Sequence, residues 1–354
     1  MPASTAHIVQ RMSPGGLEVV ALRLARELPG KHIVVSLEGA TGELIQAWPR
    51  LLALGGALHG LDKRDGLAPA LVARLARLLR AHAINRVMTH HAGPLIYGGL
   101  AARLAGVTRV VHVEHDTWHF RAARRGRLMR NAARVSRARI VGVSERMRAP
   151  LASVYRGAAI TIIPNGVDLP EGVVDRFTSR AALGLAPDTV VIGAAGRLEW
   201  VKGHDILIDA LSRLPDNVQL LIAGDGSRRD DLARQIRVSR LESRARLLGH
   251  RDDMADLFPA FDVFCQPSRD EGLPLAILEA QAAGCPVVAT RVGDVETAVC
   301  PQSGALAPAE NAATLAEAIT RLLHSPARPS PRAFVAARFD WNTTLEGYAN
   351  ILGV

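Results

Sequence analysis

Two carboxylates eight residues apart, Glu271 and Glu279, frame the passage of the chain that is richest in chemistry. Glu271 stands in Asp270-Glu271-Gly272-Leu273-Pro274, and Glu279 in the helix-like run that follows, which ends at Gly284. Pro274 suits the first turn of a helix and Gly284 the position just past its end. Gly272 lets the backbone come close to a ligand, and free amides at a helix start favour an anion such as phosphate. Glu279 is a lone carboxylate among apolar and amide-bearing neighbours. Burying it unpaired would cost on the order of several kcal/mol, so ligand hydroxyls would serve as partners. The alternative is that it points to solvent or pairs with an arginine. A second strand-to-loop-to-helix passage, Gly196-Arg197-Leu198-Glu199-Trp200-Val201-Lys202-Gly203, carries two cations five residues apart. That spacing could set both on one diphosphate, or both are simply solvated. Lys202 is one of only three lysines among 43 basic residues, which adds weight to its position. His115, in Val113-Glu114-His115-Asp116, ends a strand-like run, a functional location as well as an ordinary one for a loop histidine. His90 and His91 resemble a metal pair only superficially, because no further ligand at regular spacing accompanies them, and no Asp-x-Asp occurs.

The elements that must position these residues alternate regularly. His32–Ser36, Arg86–Thr89, Arg109–Val113, Arg139–Val143 and Ala159–Ile163 read as strands, as do Thr189–Ala194, Val218–Ala223, Ala245–Leu248, Val263–Gln266 and Pro286–Thr290. Between them, stretches such as Leu67–Ala83 repeat Leu and Ala at three- and four-residue spacing, the mark of an amphipathic helix. Short, continuously apolar strands fit parallel sheets covered on both faces, hence an α/β fold of two doubly wound, Rossmann-like domains. A length of 354 residues suits two such domains. The break is expected after Pro164-Asn165-Gly166-Val167-Asp168, giving domains 1–168 and 169–330 and a closing segment 331–354. Two such sheets place their ligands at the carboxyl ends of the strands, in a cleft where those edges face each other. No run of eighteen apolar residues predicts a membrane span, and no secretory signal is visible, so a cytoplasmic protein is expected. Three cysteines, Cys265, Cys285 and Cys300, form neither a disulfide framework nor a C-x-x-C metal site.

Charge divides unevenly. Residues 1–168 hold 24 Lys and Arg against 10 Asp and Glu, and residues 169–354 hold 19 against 24, so a net +14 and a net −5 underlie the overall +9. Eight arginines and no acid lie between Arg121 and Arg139, among them Arg124, Arg125 and Arg127. Trp118 and Phe120 precede them, and Leu128, Ala132 and Val135 recur at helical spacing. A basic amphipathic helix edged by aromatics suits an anionic membrane surface; a solvated face is the plainer alternative. Nucleic acid is disfavoured, since there is no aromatic-interleaved platform or binding module.

Arg197-x4-Lys202 followed by Glu271-x7-Glu279, within Glu-Gly-Leu-Pro-Leu-x-x-Leu-Glu-Ala-x-Ala-x-Gly-x-Pro-Val-Val-Ala, resembles the family-4 (group 1) glycosyltransferases of the GT-B fold. Gly15-Gly16-Leu17-Glu18, Pro164–Asp168, Ala223-Gly224-Asp225-Gly226 and Leu248-Gly249-His250 extend the likeness along nearly the whole chain. Gly293-Asp294 departs from it, because the family often has two glycines there. The resemblance implies retaining transfer of a sugar from a nucleotide diphosphate, with a UDP-sugar favoured and a GDP-sugar open, and with no cofactor and no metal. It implies that Arg197, Lys202 and the amides near Gly272, Leu273 and Gly16 stabilise the leaving diphosphate. Glu279 would hold the ribose, Glu271 the donor sugar, the Gly249-His250 loop would lie beside the base, and His115 would reach the transferred sugar. Glu271 is also the family's disputed candidate for a more direct role in the chemistry. Glu114 and Asp116 could orient His115 or bind the acceptor. The implied acceptor is a lipid-linked saccharide, lipopolysaccharide or exopolysaccharide at the inner face of a membrane. The segment around Phe339-Asp340-Trp341 resembles a closing helix that returns to the first domain and couples cleft closure to donor binding. Two other readings share the features: a GT-B nucleotide-sugar epimerase, and a non-catalytic nucleotide-sugar or membrane-binding subunit.

Overall fold

The computed structural model describes residues 3–116, 120, 123–170, 172, 174–186, 188–325 and 329–354. Trp118 and Arg121 fall outside these. The chain forms two compact units: Met1–Asn165 joined by Asn342–Val354, and Gly166–Trp341.

Unit 1 is built on a seven-stranded parallel sheet. Its strands are β1 (Ser4–Arg11), β2 (Lys31–Glu38), β3 (Leu58–Gly60), β4 (Arg86–His90), β5 (Arg109–Glu114), β6 (Arg139–Gly142) and β7 (Ile160–Ile162), in the order β3-β2-β1-β4-β5-β6-β7. Unit 2 has six: β8 (Val190–Ala195), β9 (Val218–Ala223), β10 (Ala245–Gly249), β11 (Val263–Gln266), β12 (Val287–Thr290) and β13 (Ala305–Ala307), in the order β10-β9-β8-β11-β12-β13. Every strand pair is parallel, and helices alternate with strands in both units. These are the two doubly wound, Rossmann-like units that the strand pattern predicts. In each sheet the strand order reverses once, between β1 and β4 and between β8 and β11. The loops leaving the carboxyl ends of those strands are where open α/β sheets place their ligands.

Three strands escaped the sequence pattern: β1, β3 and β13. β1 is the instructive one, because it lies in the interior of its sheet yet carries Ser4, Thr5 and His7, all buried. Polar residues interrupt the apolar run that identifies a covered strand, and only the tertiary partners of His7 make its burial tolerable.

The arginine-rich segment forms the helix Ala123–Ser136. Of the three apolar residues read at helical spacing, Ala132 is buried and the other two point outward. Gly126, Met129, Ala133 and Ser136 are buried, whereas Leu128 is 49% and Val135 54% exposed. Packing against the helix Ala92–Leu104 selects this face. Gly99 lies so close to Ser136 that a Cβ there would sit 2.9 Å from the Ser136 Cβ. Small residues, not large apolar ones, mark the contact.

The closing helix, Trp341–Leu352, follows Arg332–Arg338, which belongs to unit 2. From Asn342 onward the helix is part of unit 1, where Thr344 Oγ1 donates to the Pro164 carbonyl (2.8 Å) and Tyr348 is fully buried. Three arginines from the amino ends of adjacent strands cap its carboxyl end. Arg86 donates to the carbonyls of Leu352 and Gly353 (both 2.9 Å), Arg109 to Leu352, and Arg139 to Ile351 (3.4 Å). Cations at a helix carboxyl terminus satisfy its last carbonyls and complement the helix dipole. Part of the basic excess of the first half is therefore internal structure.

Candidate functional site

The loop leaving β8 holds Arg197 and Lys202. Gly196 donates to the Ala223 carbonyl (3.0 Å), and Leu198 to the Asp225 carbonyl (2.8 Å), so this loop lies directly on the one leaving β9. Gly224 makes that approach possible, because a Cβ there would sit 1.9 Å from the Gly196 oxygen. The loop tightens into one turn, Trp200–Lys202, closed by Gly203 at φ +67. A side chain at Gly203 would meet the Pro267 carbonyl oxygen at 2.1 Å, so both conformation and space require glycine. Arg197 is exposed.

Lys202 and Glu271, 69 residues apart, form an ion pair: Nζ is 2.7 Å from Glu271 Oε1, with the side chains 20% and 8% exposed. The same oxygen accepts from Ser268 Oγ (2.6 Å) and Gln266 Nε2 (2.9 Å). Gln266 also donates to Ser268 Oγ (2.9 Å), and Thr290 Oγ1 donates to the Ser268 carbonyl. Three donors thus hold one carboxylate oxygen at the carboxyl end of β11. Gly293, at φ +48, lies against the backbone of Glu271: a Cβ there would be 1.8 Å from the Glu271 carbonyl oxygen. The glycine of Gly293-Asp294 is therefore structural, and Asp294 is buried beside it.

Gly272 and Leu273 lead into the helix Leu275–Ala282, with Pro274 at its N-cap, one position before the predicted first turn, and Gly284 at φ +86 just past its end. Glu279 is half-buried on this helix. Its neighbour Gln281 is fully buried and bridges the Ala298 carbonyl and the Cys300 amide (both 2.7 Å), which fixes the helix in place. Gly249, at φ +73, accepts from the Gly224 amide (2.7 Å), so the Gly249-His250 loop joins the same end of the sheet, with His250 exposed.

Sequence spacing did not reveal Arg269. Its guanidinium pairs bidentately with Asp205 (2.9 and 2.7 Å) and donates to Glu310 (2.9 Å) and to the Trp200 carbonyl (2.7 Å). It also stacks 4.5 Å over the Trp200 ring. These contacts lock the Arg197–Lys202 loop from behind. His204 is buried beside it and held neutral, its pKa pushed down to about 4 by desolvation and then by Lys202. Gln266 and Ser268 were missed too; the only signal for them was their place at a strand end.

In unit 1, Gly15 caps the helix Gly16–Glu27, with Gly16 exposed at its first turn and the Glu18 carboxylate folded against Gly15. His90 ends β4, and His91 caps the helix Ala92–Leu104 at φ +74, a left-handed conformation that costs a non-glycine residue about 1–3 kcal/mol. His115, half-buried after β5, is hydrogen-bonded to His90 (Nδ1 to Nε2, 3.1 Å) and lies 6.3 Å, centroid to centroid, from His91. His90 is pushed down to about 3 by burial and by His112 and His91. Burial, then His90 and His91, also hold His115 well below the ordinary histidine range, so both rings are neutral.

Glu114 takes the opposite side of the strand. It is 0% exposed, accepts from Tyr155 OH, and lies 3.0 Å from His112 Nε2. His112 Nδ1 meets Thr89 Oγ1 (2.9 Å), completing a buried polar network. Asp116 is half-buried, and Arg124, Arg125 and Arg127 are exposed. Among the described residues no group of three or more His, Cys, Asp or Glu could hold a metal ion, and no helix is long and apolar enough to cross a membrane.

Residues 14–171 match the family model Glycosyltransferase Family 4, and residues 189–325 match Glycosyl transferases group 1. A D-inositol 3-phosphate glycosyltransferase of Xylanimonas cellulosilytica is 31% identical, across 93% of this chain and 89% of that protein. The chain belongs to the family-4 glycosyltransferases. A GDP-mannose-dependent monoacylated alpha-(1-6)-phosphatidylinositol monomannoside mannosyltransferase of Corynebacterium glutamicum is 29% identical to this transferase over 80% of each chain. The solved structure of Anabaena Alr3699/HepE with UDP and glucose superposes with a TM-score of 0.83 at 23% identity, covering 99% of both chains. The transferase therefore shares the GT-B fold. The Arg197–Lys202 and Glu271–Glu279 segments both fall inside the group 1 match, and His115 inside the family 4 match.

Proposed function

We propose that this enzyme is a retaining hexosyltransferase that takes its sugar from a nucleotide diphosphate, with UDP-sugar favoured. The observation that carries the reading is the Lys202–Glu271 pair at the β8–β11 reversal, fastened by Ser268, Gln266 and Gly293. As the bond from the anomeric carbon to the diphosphate oxygen breaks, negative charge grows on the leaving group. Lys202, Arg197 and the amides at Gly272 and Leu273 supply fixed positive charge and dipoles for it. Glu279 holds the ribose hydroxyls, and Glu271, kept in place by three donors, holds hydroxyls of the sugar. The Gly249-His250 loop borders the base. From unit 1, His115 reaches the transferred sugar and the amides near Gly16 assist the diphosphate. The named donors and ligands of similar proteins, UDP with glucose in one and GDP-mannose in another, support a nucleotide diphosphate donor.

The acceptor we propose is a lipid-linked saccharide or a polysaccharide precursor at the inner face of a membrane. Support comes from the outward face of the helix Ala123–Ser136, where exposed Leu128 and Val135 stand among Arg124, Arg125, Arg127 and Arg134.

Purified protein incubated with radiolabelled UDP- and GDP-sugars and a membrane extract tests both statements. Label moving into the lipid fraction with retained anomeric configuration is expected. Conversion of free donor alone would replace the reading with an epimerase, and binding without turnover would replace it with a non-catalytic subunit.

A further inference from the structure

Four histidines of the unit 1 sheet are joined in pairs, His7 in mid-β1 with His32 at the amino end of β2, and His90 with His115 at the carboxyl ends of β4 and β5; their partners determine which nitrogen of each ring carries the proton. His32 Nε2 lies 3.2 Å from the Pro29 carbonyl, which can only accept, so His32 is protonated at Nε2. In a neutral ring Nδ1 then accepts, and His7 Nε2, 3.0 Å away, is its donor. His7 is left with a bare lone pair at Nδ1, an atom buried without a partner.

The second pair has the same form. His90 Nδ1 faces His115 Nε2 at 3.1 Å, and His90 Nε2 is buried without a partner. A proton on His90 Nε2 would be an orphaned buried N–H, which folded proteins avoid more strictly than an unfilled acceptor. The proton therefore belongs on Nδ1, inside the pair. Burial keeps both rings uncharged, so one must donate and the other accept. The His7 and His90 rings stack 16° from parallel with centroids 6.3 Å apart, which fixes the orientation of His90.

We propose that His90 is a positioning residue for His115: its Nδ1–H donates to His115 Nε2 and holds that imidazole in the tautomer protonated at Nδ1. His115 then offers the substrate a hydrogen-bond donor, suited to a hydroxyl or phosphate oxygen, and cannot act there as a general base. This rests on the reading of His115 as a contact to the transferred sugar, and it extends that reading to a residue with no substrate contact of its own.

Long-range nitrogen–proton NMR on protein labelled with ¹⁵N-histidine distinguishes the tautomers directly, with His115 assigned by its loss in His115→Gln. A protonated Nδ1 and a bare Nε2 on His115 are expected; the reverse pattern overturns the proposal. In His90→Leu, which removes the donor, the His115 tautomers should mix. Turnover should fall about tenfold with little change in donor KM. His90→Asn, which keeps an N–H near the position of Nδ1, should restore most of both. An unchanged His115 spectrum in folded His90→Leu overturns the proposal. Full activity in His115→Ala would instead remove the functional reading it rests on, and the wild-type spectrum would tell the two failures apart.

Discussion

At the β8–β11 reversal of unit 2, opposite charges meet: Lys202 on Glu271, and Arg269 on Asp205 and Glu310. At the β1–β4 reversal of unit 1 the same topological position is lined by His90 and His115, with His7 ring-to-ring behind His90 and paired in turn with His32 at the amino end of β2, and the pKa values of all four are lowered. On the proposed reading, one sheet end meets a diphosphate and needs permanent charge that can turn from its internal partner to the ligand. The other, on the same reading, meets a neutral sugar and needs direction without charge. Both are built on the same parallel strand order, so the difference lies in side chains at four strand ends and not in the fold.

The contrast is sharpest in activity. Lys202→Ala should lower kcat/KM by a factor on the order of 100–1000, the usual loss when one donor to a developing anion is removed, with the unfolding midpoint nearly unchanged. Wild-type turnover in the folded variant would remove the charge from the mechanism. Gly293→Ala should be nearly as severe, because the new methyl cannot fit against the Glu271 backbone without moving the carboxylate. Donor titration by calorimetry should show weakened binding, and an unchanged dissociation constant would show that Glu271 does not need that placement.

Arg269→Ala tests whether the Arg197–Lys202 loop must be held. About a tenfold rise in donor KM with a smaller change in kcat is expected, since the contacts removed position the loop and do not touch the reacting atoms. Equal kinetic constants would mean that the loop is rigid without it.

Acid should separate the units. His7 and His90 are neutral when folded and have lowered pKa values, so the unfolded chain binds protons that the native state does not. Their stability contribution is full above about pH 6.5 and is lost as pH falls below it, for His90 down to about pH 3. Unit 2 holds one comparable ring, His204. Denaturant melts at pH 7.5 and 5.5 should therefore show unit 1 weakening more, and parallel shifts of both units would contradict the neutral-histidine account. The smallest effect is expected at the surface. Replacing Arg124, Arg125 and Arg127 by Gln should weaken binding to anionic vesicles a few-fold at low salt and leave nucleotide binding alone. Unaltered vesicle binding would leave the exposed face of that helix without a membrane role.

The segments proposed to bind the donor stood out because their residues lie close in sequence: Glu271 and Glu279 share one strand-to-helix passage, and Arg197 and Lys202 share another. Ten of the strands were legible from apolar runs. β1 was not, because His7 and its polar neighbours break the pattern, and their burial depends on His32 and His90. The packed face of the helix Ala123–Ser136 was not legible because small residues make the contact: Gly99 admits Ser136, while Leu128 and Val135 stay exposed. Arg269, Gln266 and Ser268 were hidden for a related reason: their roles exist only through residues on other strands or loops.

The amino-acid sequence by itself determined the alternation of strand and helix, the two-domain α/β class and the family, and it singled out the four charged residues proposed for the donor side, since each depends on local spacing. Tertiary structure alone decided that Lys202 meets Glu271 across 69 residues, that Glu114 turns inward while His115 pairs with His90, and that Arg86, Arg109 and Arg139 cap the final helix. Hydrogen bonds and ion pairs act over about 3 Å, and only the folded sheets bring such distant residues within that reach.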